Sequence, residues 1–126
     1  MKILAKILTV FVAIEHILFM IVEMFFWQRP LGLGMFDLSP EFAAQTAYMA
    51  QNQGLYNGFL AAGLIWGMVG AKRDIRIFFL LCVIVAGVFG AVTVSPPILF
   101  VQAVPAALAL LLTWFTLEVP TSGSSH

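Results

Sequence analysis

The sequence predicts an all-α integral membrane protein, a bundle of four spanning helices with both termini in the cytoplasm. Three observations point there. Of its 126 residues, 62% are hydrophobic and only 10% charged, and the mean hydropathy is +1.03; an ordinary water-soluble surface needs more polar groups than that. Four apolar stretches approach the ~20 helical residues that cross a ~30 Å hydrocarbon core. Five of the six basic residues fall at one end of those stretches.

The first span runs from about Ile3 to Trp27. It stops at Gln28-Arg29-Pro30, because proline cannot extend a helix and disfavours it in the residue before. With no small-residue cleavage site after a short apolar region, it reads as a retained span and not a signal peptide. The second span crosses from about Gln53 to Ala71. Its helix starts earlier, at Pro40, where Ser39 supplies an N-cap, Pro40 a first-turn residue and Glu41 an acid at the positive dipole end. Such a helix would be ~48 Å long, so its first three turns leave the hydrocarbon or it breaks near Gln51–Gly54. The third span runs from about Ile75 to Val94 and is stopped by Ser95-Pro96-Pro97. The fourth runs from Ile98 to Leu117. Residues 1–118 then form one domain. Residues 119–126 read as a tail resembling an affinity-tag linker, and His126 is set aside with it.

Orientation follows from Lys2 and Lys6 at the first helix start and Lys72, Arg73 and Arg76 around the second turn, against Arg29 alone on the other side. Short connections make neighbours antiparallel. Trp27, Trp66 and Trp114 lie toward span ends, as an interfacial belt would, although Trp66 also suits a core. The setting is therefore the inner (plasma) membrane, crossed several times, with lipids as partners. Zero net charge argues against nucleic acid. Cys82 is alone, so no internal disulfide or thiolate metal cage forms.

Function should lie with Glu15, His16 and Glu23. A charge at membrane depth costs at least ~2.5–3.5 kcal/mol on insertion scales. His16, Met20, Glu23 and Trp27 share one helix face, and Glu15 lies ~100° round from His16. Asn52, Gln53, Tyr56 and Asn57 on the second helix, with Gln102 on the fourth, fall between the midplane and the outer interface; the cytoplasmic half offers almost no amide. The simplest arrangement sets the carboxylate stripe against the amide stripe in a pocket opening outward. Gly54 and Gly58, then Gly63 and Gly67, allow close helix approach, within the bundle or in a homo-oligomer through glycine-rich faces.

The runs Ala13-Ile14-Glu15-His16 and Glu23-Met24-Phe25, with Asn52-Gln53-Gly54-Leu55-Tyr56-Asn57-Gly58, resemble the domain-of-unknown-function family 1304. The resemblance covers essentially the whole chain before the tail. It implies a small bacterial or fungal integral membrane protein and no particular reaction.

Four readings of the cluster remain open. The acids could simply fasten two helices, but interhelical hydrogen bonds average only ~0.6 kcal/mol. They could form a pocket for a lipophilic small molecule, with acid–base catalysis of an isomerase or hydrolase type. There His16 and Glu23 are the acid–base pair, Glu15 orients His16 or stabilises positive charge, and Asn52, Gln53, Tyr56, Asn57 and Gln102 fix the substrate. A metal or haem on His16 is a third reading, although the paired Glu-x-x-His of di-metal bundles is missing; no metal ligand set or cofactor is assigned. A proton-coupled transporter working as a dimer is the fourth. Against it stands the gathering of polar groups in the outer half alone.

Overall fold

Helix α1 (Lys2–Ile21) continues without a break into one wider π-helical turn, Val22–Phe26, which contains Glu23. This computed structural model describes residues 1–116 and is all-α, with no strand among the described residues. A short α2 (Pro30–Met35) leads to α3 (Pro40–Val69) and α4 (Arg73–Thr93). A second π turn (Leu99–Ala103) then opens into α5 (Val104–Phe115). The helix ends fall where the prolines require. Leu117 and Glu118, and the expected tail 119–126, lie outside the described residues.

The N-terminus of α3 forms as its sequence demands: Ser39 is extended and its Oγ accepts from the Phe42 N–H at 3.2 Å, with Pro40 in the first turn. The helix then runs unbroken for 30 residues, so the break considered near Gln51–Gly54 does not occur. The π turn before α5 sits where the Pro105 ring would crowd the carbonyl four residues back, and a wider turn relieves that clash. Helix α2 forms within the connection between Gln28 and Ala47. Pro30 opens it at a position proline suits, and Gly32 lets it fold back: a Cβ there would stand 2.2 Å from the Phe26 carbonyl oxygen.

Helix α1 packs on α3 and α5, and α4 packs on the same two. The glycines set how closely. On α3, Gly54 and Gly58 meet Met20, Glu23 and Met24 of α1 and its π turn, whereas Gly63 meets the Phe79 ring and Gly67 the Arg76 backbone of α4. On α4, Gly87 lies against Ala103 and Gln102. The glycines considered for a homo-oligomer thus seat the chain's own helices.

The interior is unusual in size and polarity. Its apolar part is largely Ala, Val and Leu, including Val12, Ala13, Leu64, Leu80, Val83, Ala106 and Ala109, and it also buries Thr9, His16, Glu23, Asn57, Arg76 and Thr113. Large side chains such as Phe11, Phe25, Phe78, Phe89, Phe100 and Trp66 are exposed; Trp66 is thus no core residue. Helices Lys2–Phe26 and Arg73–Thr93 are long and apolar enough to cross a membrane.

Two backbone features make opposite predictions for stability in detergent. Ala71 holds φ at 50° where α3 ends, with the Lys72 N–H donating to the Gly67 carbonyl. A left-handed non-glycine residue costs roughly 1–2 kcal/mol, so Ala71→Gly should stabilise by up to about 1 kcal/mol. A Cβ on Gly87 would stand 2.9 Å from the Ala103 backbone nitrogen, so Gly87→Ala should destabilise by about 1–3 kcal/mol. Thermal unfolding of the purified variants checks both signs.

Candidate functional site

The residues singled out on α1 do turn inward. His16 is 1% exposed and Glu23 8%, one face apart by two turns, and Thr9 at 0% lies two turns before His16. The buried stripe therefore steps by seven: Thr9, His16, Glu23. Seven residues rise about 10 Å along a helix, so His16 and Glu23 cannot exchange a proton directly. Met20 lies between them on that face.

Each group has a defined partner. His16 Nδ1 donates to the Val12 carbonyl at 2.8 Å, since a carbonyl can only accept. This fixes the ring and leaves Nε2 as the atom that can meet a ligand. The ring also stands edge-on to Phe19, with centroids 5.8 Å apart. Asn57 Nδ2 donates to Glu23 Oε2 at 3.1 Å, a buried bond joining α3 to the π turn. Glu15 is half-buried, and its Oε1 is enclosed with no hydrogen-bond partner among the described residues.

On α3, only Asn57 joins the acids. It belongs to the buried seam Ala50, Gly54, Asn57, Ala61 and Leu64, whose alternating steps of four and three keep one face of a helix inward. Asn52, Gln53 and Tyr56 are exposed, which corrects the expected amide stripe: Asn52 and Tyr56 fall on another face, and Asn52 Nδ2 donates back to the Tyr48 carbonyl. Gln102 is half-buried in the second π turn, its Cβ beside Gly87. Glu23 and Gln102 are thus both carried on π turns, which often occur at functional sites.

The end of the site near Glu23 is closed by aromatic and hydroxyl contacts. Trp27 Nε1 donates to Thr46 Oγ1 at 3.0 Å, and its ring packs on Phe36 at 5.1 Å. These contacts hold α2 and the start of α3 over the π turn. The sequence reading missed Thr9 and Thr113, and the burial of Arg76. Thr9 Oγ1 donates to the Ala5 carbonyl at 2.7 Å, and Thr113 Oγ1 is buried without a partner among the described residues. The step of seven from Glu23 through His16 would have reached Thr9. Their burial corrects the expectation that polar groups gather only in the half distant from the basic residues. Among the described residues, no three His, Cys, Asp or Glu side chains come together as a metal cage.

Comparison with known proteins gives a family match and a curated relative. A family model described as "Protein of unknown function (DUF1304)" matches residues 10–114, a range that includes Glu15, His16, Glu23, Asn57 and Gln102. The uncharacterized protein YpaA of Lactococcus lactis subsp. lactis (strain IL1403) is 29% identical over 119 residues, covering 91% of this chain and 100% of YpaA. No solved structure matches the chain.

The Glu23–Asn57 bond predicts a coupled pair. Asn57→Leu leaves a buried carboxyl oxygen without its donor and should cost about 1–3 kcal/mol. Glu23→Gln keeps an acceptor for Asn57 and should cost less. In the double variant Glu23→Leu/Asn57→Leu the two losses should fall well short of adding, measured as a thermal-unfolding cycle in detergent. Simple additivity would mean that the bond contributes nothing.

Proposed function

The chain belongs to the DUF1304 family, and we propose that it is a multi-pass protein of the plasma membrane that binds a lipophilic small molecule at Glu23, Asn57 and His16. The observation that carries this reading is the buried Glu23–Asn57 bond two turns from the fully buried His16, inside a chain whose outer surface is apolar.

The membrane half of the proposal rests on the inverted distribution of side chains. Only 33% of the apolar window of Lys2–Phe26 and 22% of that of Arg73–Thr93 is buried; core helices of a water-soluble protein would be mostly covered. Phenylalanines outside and alanines, glycines and polar groups inside suit helices that meet lipid and associate by close approach. Helix α3 and the shorter Leu99–Phe115 complete four spans, with Lys2, Lys6, Lys72, Arg73 and Arg76 on the cytoplasmic side.

The binding half rests on the separation of the polar groups. His16 Nε2 and the Glu23 carboxyl are too far apart to satisfy each other but could both reach one molecule lying along α1. The Met20 side chain is the flexible part between them, and Met adapts to irregular shapes. A ligand with a hydrogen-bonding or amine head would meet Glu23 and Asn57 and lay its apolar body toward Met20. If it is turned over there, His16 Nε2 accepts a proton while a carboxyl supplies one, the acid–base division that an isomerase or hydrolase uses. The site is closed near Glu23, so entry requires α2 to move.

A second reading is favoured by Thr9, Thr113 and Glu15. With His16 and Glu23 they distribute buried polar groups along most of the chain's length, as a proton path through a transporter needs.

Carbonate extraction should leave the protein in the membrane fraction; release into the supernatant would end the membrane reading. In membranes, the lipophilic carboxyl reagent dicyclohexylcarbodiimide should label Glu15 and Glu23, read by peptide mass spectrometry. Dodecylamine should protect Glu23, with protection lost in Asn57→Leu. Unprotected Glu23 in the native protein would overturn the binding site. Proton flux in liposomes, abolished by Glu15→Gln, would instead select transport.

A further inference from the structure

At the end of the chain opposite Glu23, a groove of ≈ 660 Å³ opens between the start of α4 and the end of α5. Its chemistry comes in two parts. The mouth holds Lys72, Arg73 and Asp74 beside the Trp114 ring, two positive charges against one negative. Arg73 is fixed there: its Nε donates to the Thr113 carbonyl at 3.2 Å and its Nη2 to the Trp114 carbonyl at 2.6 Å, with the guanidinium carbon 5.6 Å from the indole. Those two bonds use two of five N–H groups, so three can still point at an acceptor. Lys72 is exposed beside it.

Below the mouth, the groove is hydrocarbon. Ile77, Phe78 and Leu81 line it on α4, and their spacing from Asp74 (three, four and seven residues) makes one continuous face descending about 10 Å from the charges. A small hydrophilic anion would leave that apolar wall unused, and a hydrocarbon alone would leave the cations unused. A phospholipid with net negative charge uses both. We propose that this groove binds one anionic phospholipid, its phosphate on Lys72 and Arg73 and an acyl chain along Ile77, Phe78 and Leu81. The proposal rests on the membrane reading above but is independent of ligand binding at Glu23. It also gives the cytoplasmic basic cluster a second role beyond orientation, since that leaflet carries the anionic lipids.

The test is native mass spectrometry of the full chain released from detergent containing equal phosphatidylglycerol and phosphatidylcholine. Phosphatidylglycerol should be retained several-fold over phosphatidylcholine. Lys72→Gln should lower that preference by about five-fold, the worth of one basic residue at the membrane surface, and Lys72→Arg should keep it. Lys2→Gln/Lys6→Gln should leave it unchanged. Equal retention of both lipids, or a preference unaffected by Lys72→Gln and lost in Lys2→Gln/Lys6→Gln, would overturn the proposal. So would a preference that emerges only when residues 117–126 are removed, since the chain's own C-terminus would then be the occupant. Carbonate extraction of the same variants separates this failure from failure of the membrane reading: a protein that stays in the membrane without lipid preference refutes the groove alone.

Discussion

Helix α3 can lie against both α1 and α4 only because it turns glycine toward each. A Cβ at Gly54 would stand 2.6 Å from Met24 Cγ and 3.2 Å from Glu23 Cβ, and one at Gly63 would stand 2.3 Å from the Phe79 ring. The α1–α3 and α3–α4 seams hold by close packing and, at Glu23–Asn57, by a hydrogen bond between helices. Remove the close approach and both supports go together. The dispersion contacts across the α1–α3 and α3–α4 seams would be lost, because they fall off within an ångström. Asn57, on the same seam as Gly54, would no longer reach Glu23.

That dependence explains why the polar groups sit where they do. Glu23 is carried on a π turn, one residue out of register with an ordinary helix, and Asn57 comes from the face that glycine lets closest. The bond between them is worth little if it is only a fastener, about 0.6 kcal/mol on average for such pairs. Burying a carboxyl group costs more than that. Asn57 thus moderates a cost that something else must justify. His16 adds a second such group, and its own bond to the Val12 carbonyl leaves Nε2 uncommitted. Glu15 adds a carboxyl oxygen with no partner among the described residues. Stability alone would select apolar residues at all three positions.

Much of this was legible in the sequence, for reasons that differ by element. Prolines 30, 40 and 96–97 mark helix ends because their chemistry is local, and Ser39 marks a cap for the same reason. His16 and Glu23 were readable as one inward face because a step of seven returns to the same side of a helix. Asn52, Gln53 and Tyr56 were misread because polarity alone does not say which face of α3 turns in. The seam of Ala50, Gly54, Asn57, Ala61 and Leu64 decides that, and small residues carry it more than polar ones. Helix α2 went unread because Gly32 and Gly34 weaken helix propensity, whereas Gly32 lets backbone meet backbone. The first π turn is followed by no proline in its own helix, since Pro30 opens α2 after an extended Arg29, and it left no mark that composition or period could detect.

The two ends of the molecule are held in different ways, and this bears on which of them can open. At the basic end, Arg73 ties α4 to two carbonyls of α5, and the Lys72 N–H closes the α3–α4 turn on the Gly67 carbonyl. Any separation there breaks charge-assisted bonds, roughly twice as strong as neutral ones. At the other end, a six-residue helix rests on the π turn through the Gly32 backbone and the Phe36–Trp27 ring contact, while Trp27 Nε1 ties the turn to Thr46 of α3. One neutral hydrogen bond and one ring contact are a weaker restraint. The π turn beneath adds a segment whose hydrogen-bond register already differs from α1. The end near Glu23 is therefore the less tightly tied of the two, and α2 is the element whose displacement would uncover Glu23 while the basic end stays in place.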